Sequence, residues 1–441
     1  MTEKPQPPRP QEERPATYRE VLAGRETRAL FGSYALSKAS SMLARVAVAS
    51  LVWNTSQSPL LAMAAFAISY APYLGPAQLL AALADRLPYR SVMVTADFIR
   101  MVLIGIMAIP GMPLPLMLVL MFTSAMVEPA YQASRSALLP KLVSGEALTL
   151  ALSIYLTLNQ TAQLTGYFVG GILAAVNPRI ALSINAVVFA VSGLLLLAFV
   201  RHRAAEGDAT QRKGLLRETG EGFALVFGNR VLRTIALVVF TTLGFTIVPE
   251  GSAVPWADEL GGGPIVLALL MTAAPAAAMV SSIVFTRFVR PSVRQRLIRP
   301  LVLLAPLSLV PALLEPAWPW AVLMAMVCNL TAASLAPLNA IFVRTVPDGY
   351  RARAFSVMQT GMSLVQGIGI IGAGALAQSS LGVSQSVGVW GLAGTAVVIL
   401  LLWRWPSSRE FDDAVAQGEK TEPATTPDRP TVASGDAGPA T

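Results

Sequence analysis

Ile180-Ala181-Leu182-Ser183-Ile184-Asn185-Ala186-Val187-Val188-Phe189-Ala190-Val191-Ser192-Gly193-Leu194-Leu195-Leu196-Leu197-Ala198-Phe199-Val200 runs for 21 residues without a charged side chain, and Arg201-His202-Arg203 follows at once. A bilayer core of about 30 Å takes roughly 20 apolar residues to cross as a helix. Arginines just past such a stretch mark its cytoplasmic end. This segment therefore predicts a membrane-spanning helix that ends inside the cell.

The same pattern repeats outward in both directions. Apolar stretches predict helices over 29–53, 60–83, 92–111, 114–138, 147–175, 180–200, 233–253, 264–289, 298–315, 318–342, 354–378 and 385–405. Only 13% of the residues are charged and 54% are hydrophobic, against roughly 25% charged in soluble domains. Pro59, Pro110, Pro178, Pro264 and Pro319 fall in the short turns, where proline interrupts no helix interior. In lipid every backbone group must be satisfied within its segment, so each stretch should be helical throughout.

Lysine and arginine are sorted by loop. With the N-terminus inside, the cytoplasmic segments hold 29 of the 33; the external loops hold Arg179 alone, and Lys38, Arg45 and Arg100 lie within helices. That split predicts an even number of spans with both termini inside. The basic segment 201–232, with Arg212, Lys213 and Arg217, divides the spans six and six. The halves are weakly alike: Leu139-Pro140-Lys141 precedes the fifth helix and Val346-Pro347-Asp348 the eleventh. Repeated halves are a common transporter plan. The expected organisation is a disordered cytoplasmic tail over 1–28, a six-helix bundle over 29–200, a cytoplasmic loop over 201–232, a second six-helix bundle over 233–405, and a disordered tail over 406–441. The first 28 residues lack an apolar core, so no cleavable signal peptide is expected.

Composition excludes several function classes. One cysteine, Cys328, permits no internal disulfide, and one histidine, His202, leaves little for zinc or Ser-His-Asp chemistry. The net charge of +8 is accounted for by loop sorting rather than by nucleic-acid binding. No P-loop sequence occurs, so ATP is not hydrolysed that way. Gly367-Ile368-Gly369-Ile370-Ile371-Gly372 fits a dinucleotide pattern, but it lies inside an apolar helix with no preceding strand. Helix packing by Gly367, Gly369 and Gly372 is the better reading.

Between the second and third helices lies Ala82-Leu83-Ala84-Asp85-Arg86-Leu87-Pro88-Tyr89-Arg90. It resembles the Gly-x-x-x-Asp-Arg-x-Gly-Arg-Lys signature of the major facilitator superfamily. Asp85, Arg86 and Arg90 match, whereas Ala81, Pro88 and Tyr89 depart. Gly166-Tyr167-Phe168-Val169-Gly170-Gly171 resembles the Gly-Pro-x-x-Gly-Gly motif of exporters, with Tyr167 in place of proline. Together with Asp97 and Arg100 of helix three, Arg135 ending helix four, and Arg351 and Arg353 after helix ten, these residues resemble the bacterial drug:proton antiporter branch that includes macrolide-efflux and siderophore-export proteins. The resemblance covers roughly 25–405. It implies a gate latch built on the Asp85–Arg90 loop and its neighbours. Gly166, Gly170 and Gly171 would allow close helix packing, either as a rigid central seam or without a role in direction. Relatives often carry an acid in mid-helix one; Ser41 stands there here.

A charge at mid-helix costs about 2.5–3.5 kcal/mol on insertion scales, which makes each one a functional candidate. Lys38 and Arg45, seven residues apart, share a face of helix one. Glu128 stands just before Pro129, and Glu250 near the outer end of helix seven. Two readings stay open for Glu128: a proton carrier facing a central cavity with Lys38, or a static ion pair. Asn159, Gln163, Gln359 and Gln366 are polar cavity candidates, as are Gln160, Asn329, Asn339, Tyr34, Tyr70 and Tyr155.

The expected fold class is an all-α integral membrane protein of twelve transmembrane helices in two six-helix bundles, the major-facilitator type. The expected activity is proton-coupled export of a hydrophobic drug or metabolite by alternating access, with no cofactor and no catalysis. A siderophore or lipid transporter, or an uptake carrier, is the alternative; a membrane-embedded enzyme is a distant one. The expected setting is the inner membrane, as a monomer in the lipid bilayer with a small-molecule substrate and no nucleic acid.

Overall fold

The computed structural model describes residues 17–75, 80, 87–203, 215–403, 405 and 410. Helix occupies each of the twelve expected spans. Nine of the described helices are long and apolar enough to cross a membrane. The other three spans fall short for visible reasons. Tyr89–Met107 carries Arg90, Asp97 and Arg100, and Glu146–Val176 holds Asn159, Gln160 and Gln163. The second span leaves the α-helix after Pro59–Ala67.

That break corrects the expected continuous helix over 60–83. A 3-10 turn follows at Ala71–Leu74, with Pro72 within it and Gly75 at φ 152°. Proline has no N–H to donate and clashes with the preceding turn. Residues 76–79 and 81–86 lie outside the described residues. Three other spans are interrupted at mid-depth: the fourth (Leu114–Leu142) at Val127 before Pro129, the seventh (Arg230–Gly251) at Ile247 before Pro249, and the tenth (Trp318–Thr345) at Leu330 and Thr331. Pro59, Pro178, Pro264 and Pro319 occupy the first or second helical position, where a missing N–H costs nothing.

Two segments expected to be irregular are helical. Tyr18–Ala23, within the expected tail 1–28, is closed by a capping box of Thr17 and Glu20 and buries Val21. The first span then begins at Arg25. Leu215–Gly228, within the expected loop 201–232, is a helix, and the seventh span begins at Arg230. Gly222 lets that helix sit on the backbone of Arg353: a Cβ there would meet the Arg353 carbonyl at 2.8 Å. Arg353 also pairs with Glu221 at 2.7 Å. Both partners are partly exposed, and such pairs contribute little. Arg353→Gln should lower stability by less than about 1 kcal/mol in a thermal melt, with Gly222 packing retained. Of the expected tails over 1–28 and 406–441, residues 1–16, 406–409 and 411–441 lie outside the described residues, and Glu410 pairs with Arg230 at 2.7 Å.

The buried side chains show how the halves meet. One apolar cluster joins them, with Val46, Val48 and Phe66 from the first half against Val254, Trp256 and Met271 from the second. Toward the other end each half has its own cluster. Leu30, Tyr34, Met93 and Leu139 form one, and Leu232, Ile235, Ile298 and Phe342 the other. The Ser58 hydroxyl donates to the Gln378 side chain across the joined end at 2.6 Å. Apolar burial gives little drive to helix association inside lipid, so small residues that permit close packing carry more of it. A Cβ on Gly166 would meet the Ala39 backbone within the first half, and one on Gly170 would come within 3.0 Å of Leu43 Cα. A Cβ on Gly171 would come within 2.6 Å of Ala268 Cα, in the other half.

Candidate functional site: a cavity between the halves

The helix breaks and the one-ended join leave a cavity of about 350 Å³ between the halves. Lys38, Arg45, Tyr70, Tyr73, Gln160 and Gln163 line it from the first half. Thr246, Glu250, Asn329, Gln359, Ser363 and Gln366 line it from the second. The structure thus brings together Lys38, Arg45, Gln163, Glu250, Gln359 and Gln366, all expected from sequence. Tyr73, Thr246 and Ser363 were not anticipated. Tyr73 stands three residues after Tyr70, a helical spacing that puts both on one face, so its place was legible.

Five expected cavity residues do not line it: Glu128, Asn159, Tyr34, Tyr155 and Asn339. Glu128 faces a small pocket behind the first span, with Ser41, Ser124, Arg100 and Phe189. Lys38 bridges the two spaces: it lines the cavity, and its ammonium is 3.6 Å from the Glu128 carboxylate. Asn159 accepts from the Tyr34 hydroxyl at 2.6 Å and donates to Gln160 at 3.1 Å, so it supports a lining residue from one layer back.

The two halves are also linked through a charged group in the cavity. The Tyr167 hydroxyl, on the fifth span, donates to Glu250 on the seventh at 2.5 Å. The interruption at Ile247 and Pro249 places Glu250 in a separate helical turn, Val248–Gly251. Arg45 has no carboxylate within ion-pair distance among the described residues, and its guanidinium lies 5.2 Å from the Tyr70 ring centroid.

The residues expected to gate are held within their own halves. Asp97 accepts from Ser37 at 2.9 Å and from Ser192 at 2.6 Å, and lies 3.8 Å from Arg100. Arg100 in turn donates to Ser37 and sits near the Tyr131 and Phe189 rings. This network ties the first, third and sixth spans together, because a buried charge is tolerated only when paired and hydrogen-bonded. Arg135 stacks 3.5 Å from the Tyr155 centroid and 4.8 Å from that of Tyr34. Arg90 donates to the Leu197 carbonyl. Arg353 pairs with Glu221, and Arg351 is exposed at the start of the eleventh span. Asp85 and Arg86 lie outside the described residues.

The packing glycines divide similarly. A Cβ on Gly369 would meet the Gly244 carbonyl, and one on Gly372 would lie 2.6 Å from the Trp390 ring. Gly367 is corrected: a Cβ there would meet nothing within 4 Å, so helix packing does not require it.

Comparison with known proteins agrees with this architecture. The sequence profile described as Major Facilitator Superfamily matches residues 30–330 and 251–432. A Bacillus subtilis (strain 168) protein, "Uncharacterized MFS-type transporter YvqJ", is 28% identical over 182 residues, which is 40% of this chain and 43% of that protein. The chain therefore matches under half the length of that relative. Among solved structures, a POT family transporter in complex with 5-aminolevulinic acid gives a TM-score of 0.69 at 14% identity, over 85% of this chain and 95% of that one. The nucleoside transporter NupG gives 0.64 at 14% identity, over 87% of this chain and 98% of that one. At such identities the likeness is one of fold. The match to the superfamily spans nearly all of the helical region, and this chain belongs to the major facilitator superfamily.

Proposed function

We propose that the protein is a secondary active transporter that exports a small molecule by alternating access, driven by protons. The observation that carries this reading is the Tyr167–Glu250 hydrogen bond, which joins the halves at the wall of the cavity. Rocking one bundle against the other is the working motion of such folds. Opening the joined end pulls the fifth span from the seventh and breaks that bond. Glu250 is then exposed to water from the far side, where it takes up a proton. Protonation state and conformation are thereby linked. Glu128, held by Lys38, is the second carboxylate able to take part.

The lysine and arginine sorting orients this cycle. The basic loops are cytoplasmic, both termini are inside, and the separate cores of the two halves face the cytoplasm. The protein works as a monomer in the inner membrane, and the arrangement described here is the one closed to the outside. No cofactor is needed beyond the proton gradient.

The test is accumulation of a panel of dyes, antibiotics and siderophores in efflux-deficient bacteria, with wild type beside Glu250→Gln. Expected is lower accumulation of at least one compound, restored to near the empty-vector level by an uncoupler and by the substitution. Export that persists in Glu250→Gln and with uncoupler overturns the coupling mechanism. Accumulation raised rather than lowered overturns the direction.

A further inference from the structure

The chemistry of the cavity wall goes beyond the general reading of an exporter and bears on what is carried. Four of the charges inside the membrane are matched locally. Asp97 has Arg100, Ser37 and Ser192, and Glu128 has Lys38. Glu250 accepts a hydrogen bond from Tyr167. Arg45 differs from these. It is 8% exposed, lines the cavity, and meets no carboxylate within ion-pair distance among the described residues. Its guanidinium lies 5.2 Å from the Tyr70 ring and also borders the pocket that holds Glu128, and neither neighbour supplies it a carboxylate at ion-pair distance.

From this we infer that the cavity binds a small organic anion, a carboxylate or phosphate on a partly apolar body, with Arg45 as its anchor. A guanidinium keeps its charge inside proteins and presents donors in a fork that matches a carboxylate or phosphate edge. Holding it at mid-membrane is costly, and a bound anion offsets that cost each time the site is filled. Lys38 is less available, because Glu128 holds it from behind. Around the charge stand amides, Gln160, Gln163, Gln359 and Gln366, beside the apolar Met42 and Leu335. The volume of about 350 Å³ lies near the lower end of ordinary ligand pockets, about 300–1,000 Å³. The occupant is therefore a compact molecule with few rings, rather than the bulky hydrophobic drug that composition alone suggested.

This inference rests on the reading of the cavity as the substrate site, but its test needs no transport. Purified protein in detergent is melted with three matched probes: 2-naphthoate, 2-naphthamide and 2-naphthyltrimethylammonium. Expected is stabilisation by naphthoate at millimolar concentration, and less or none by the amide and the ammonium. Arg45→Gln should weaken naphthoate binding about tenfold to a hundredfold. Arg45→Lys should recover part of it. If the glutamine variant fails to fold, the order of the three probes on the wild type still decides. Preference for the ammonium, equal response to acid and amide, no response to naphthoate, or unchanged binding in Arg45→Gln each overturns the inference. Anion binding without proton-driven transport would leave it standing and sink the proposed energy coupling instead.

Discussion

Gly171→Leu will abolish transport and loosen the joined end of the molecule. The added Cβ would come within 2.6 Å of Ala268 Cα and 2.8 Å of Ala268 N. Both are backbone atoms of the opposite half, so no side-chain rotation can make room. Overpacking of this kind costs about 1–3 kcal/mol. Charged against the closed state alone, that shifts the conformational equilibrium about 5- to 150-fold. The reporter is a disulfide between Ser58→Cys and Gln378→Cys, whose native side chains touch at 2.6 Å, in a Cys328→Ser background. High yield is expected in the parent and a severalfold lower yield with Gly171→Leu. Unchanged yield would show that the fifth and eighth spans yield at this seam without moving the halves. Gly166→Leu is the contrast: its clash is with Ala39 inside the first half, so it should lower stability without a selective loss of cross-linking.

Lys38→Met will be among the most destabilising single changes in the membrane region. It leaves the Glu128 carboxylate, 9% exposed, without its ammonium at 3.6 Å. Removing one partner of a buried pair costs about 3–5 kcal/mol, whereas replacing both with apolar groups is often neutral. Lys38→Met with Glu128→Leu should therefore recover most of the stability lost in Lys38→Met, while proton-driven transport stays lost. A thermal or denaturant series on the four proteins gives the coupling energy directly. Additive losses would mean that the pair contributes little and that each residue is held by other partners.

The two experiments separate features with very different visibility in the sequence. Gly171 was visible as a packing glycine, but its partner was not. Nothing local distinguishes Gly171, which meets the second half, from Gly166, which meets the first. Lys38 and Glu128 were visible as costly charges within apolar stretches, and their pairing follows from the scarcity of other partners at that depth. The displacement of Glu128 from the cavity to the pocket behind it depends on the turn at Val127, which sets the direction of the side chain. Tyr167 stood in the sequence only as a departure from a glycine-proline motif. Its bond to Glu250, 83 positions away, exists because two spans from different halves approach at that level. The amphipathic helix Leu215–Gly228 was hidden by its basic flanks, which read as loop.

By itself the sequence determined where the helical segments fall and most of the polar and charged residues from which the cavity is built. The physical reason is that bilayer thickness and the cost of unsatisfied backbone or buried charge act on each segment separately. Tertiary structure alone decided which end of the halves is joined, which carboxylate reaches the cavity, and which cation there has no carboxylate at ion-pair distance. Those outcomes depend on small residues meeting backbone across helices and on breaks in mid-span, where a turn of a few residues redirects every side chain beyond it.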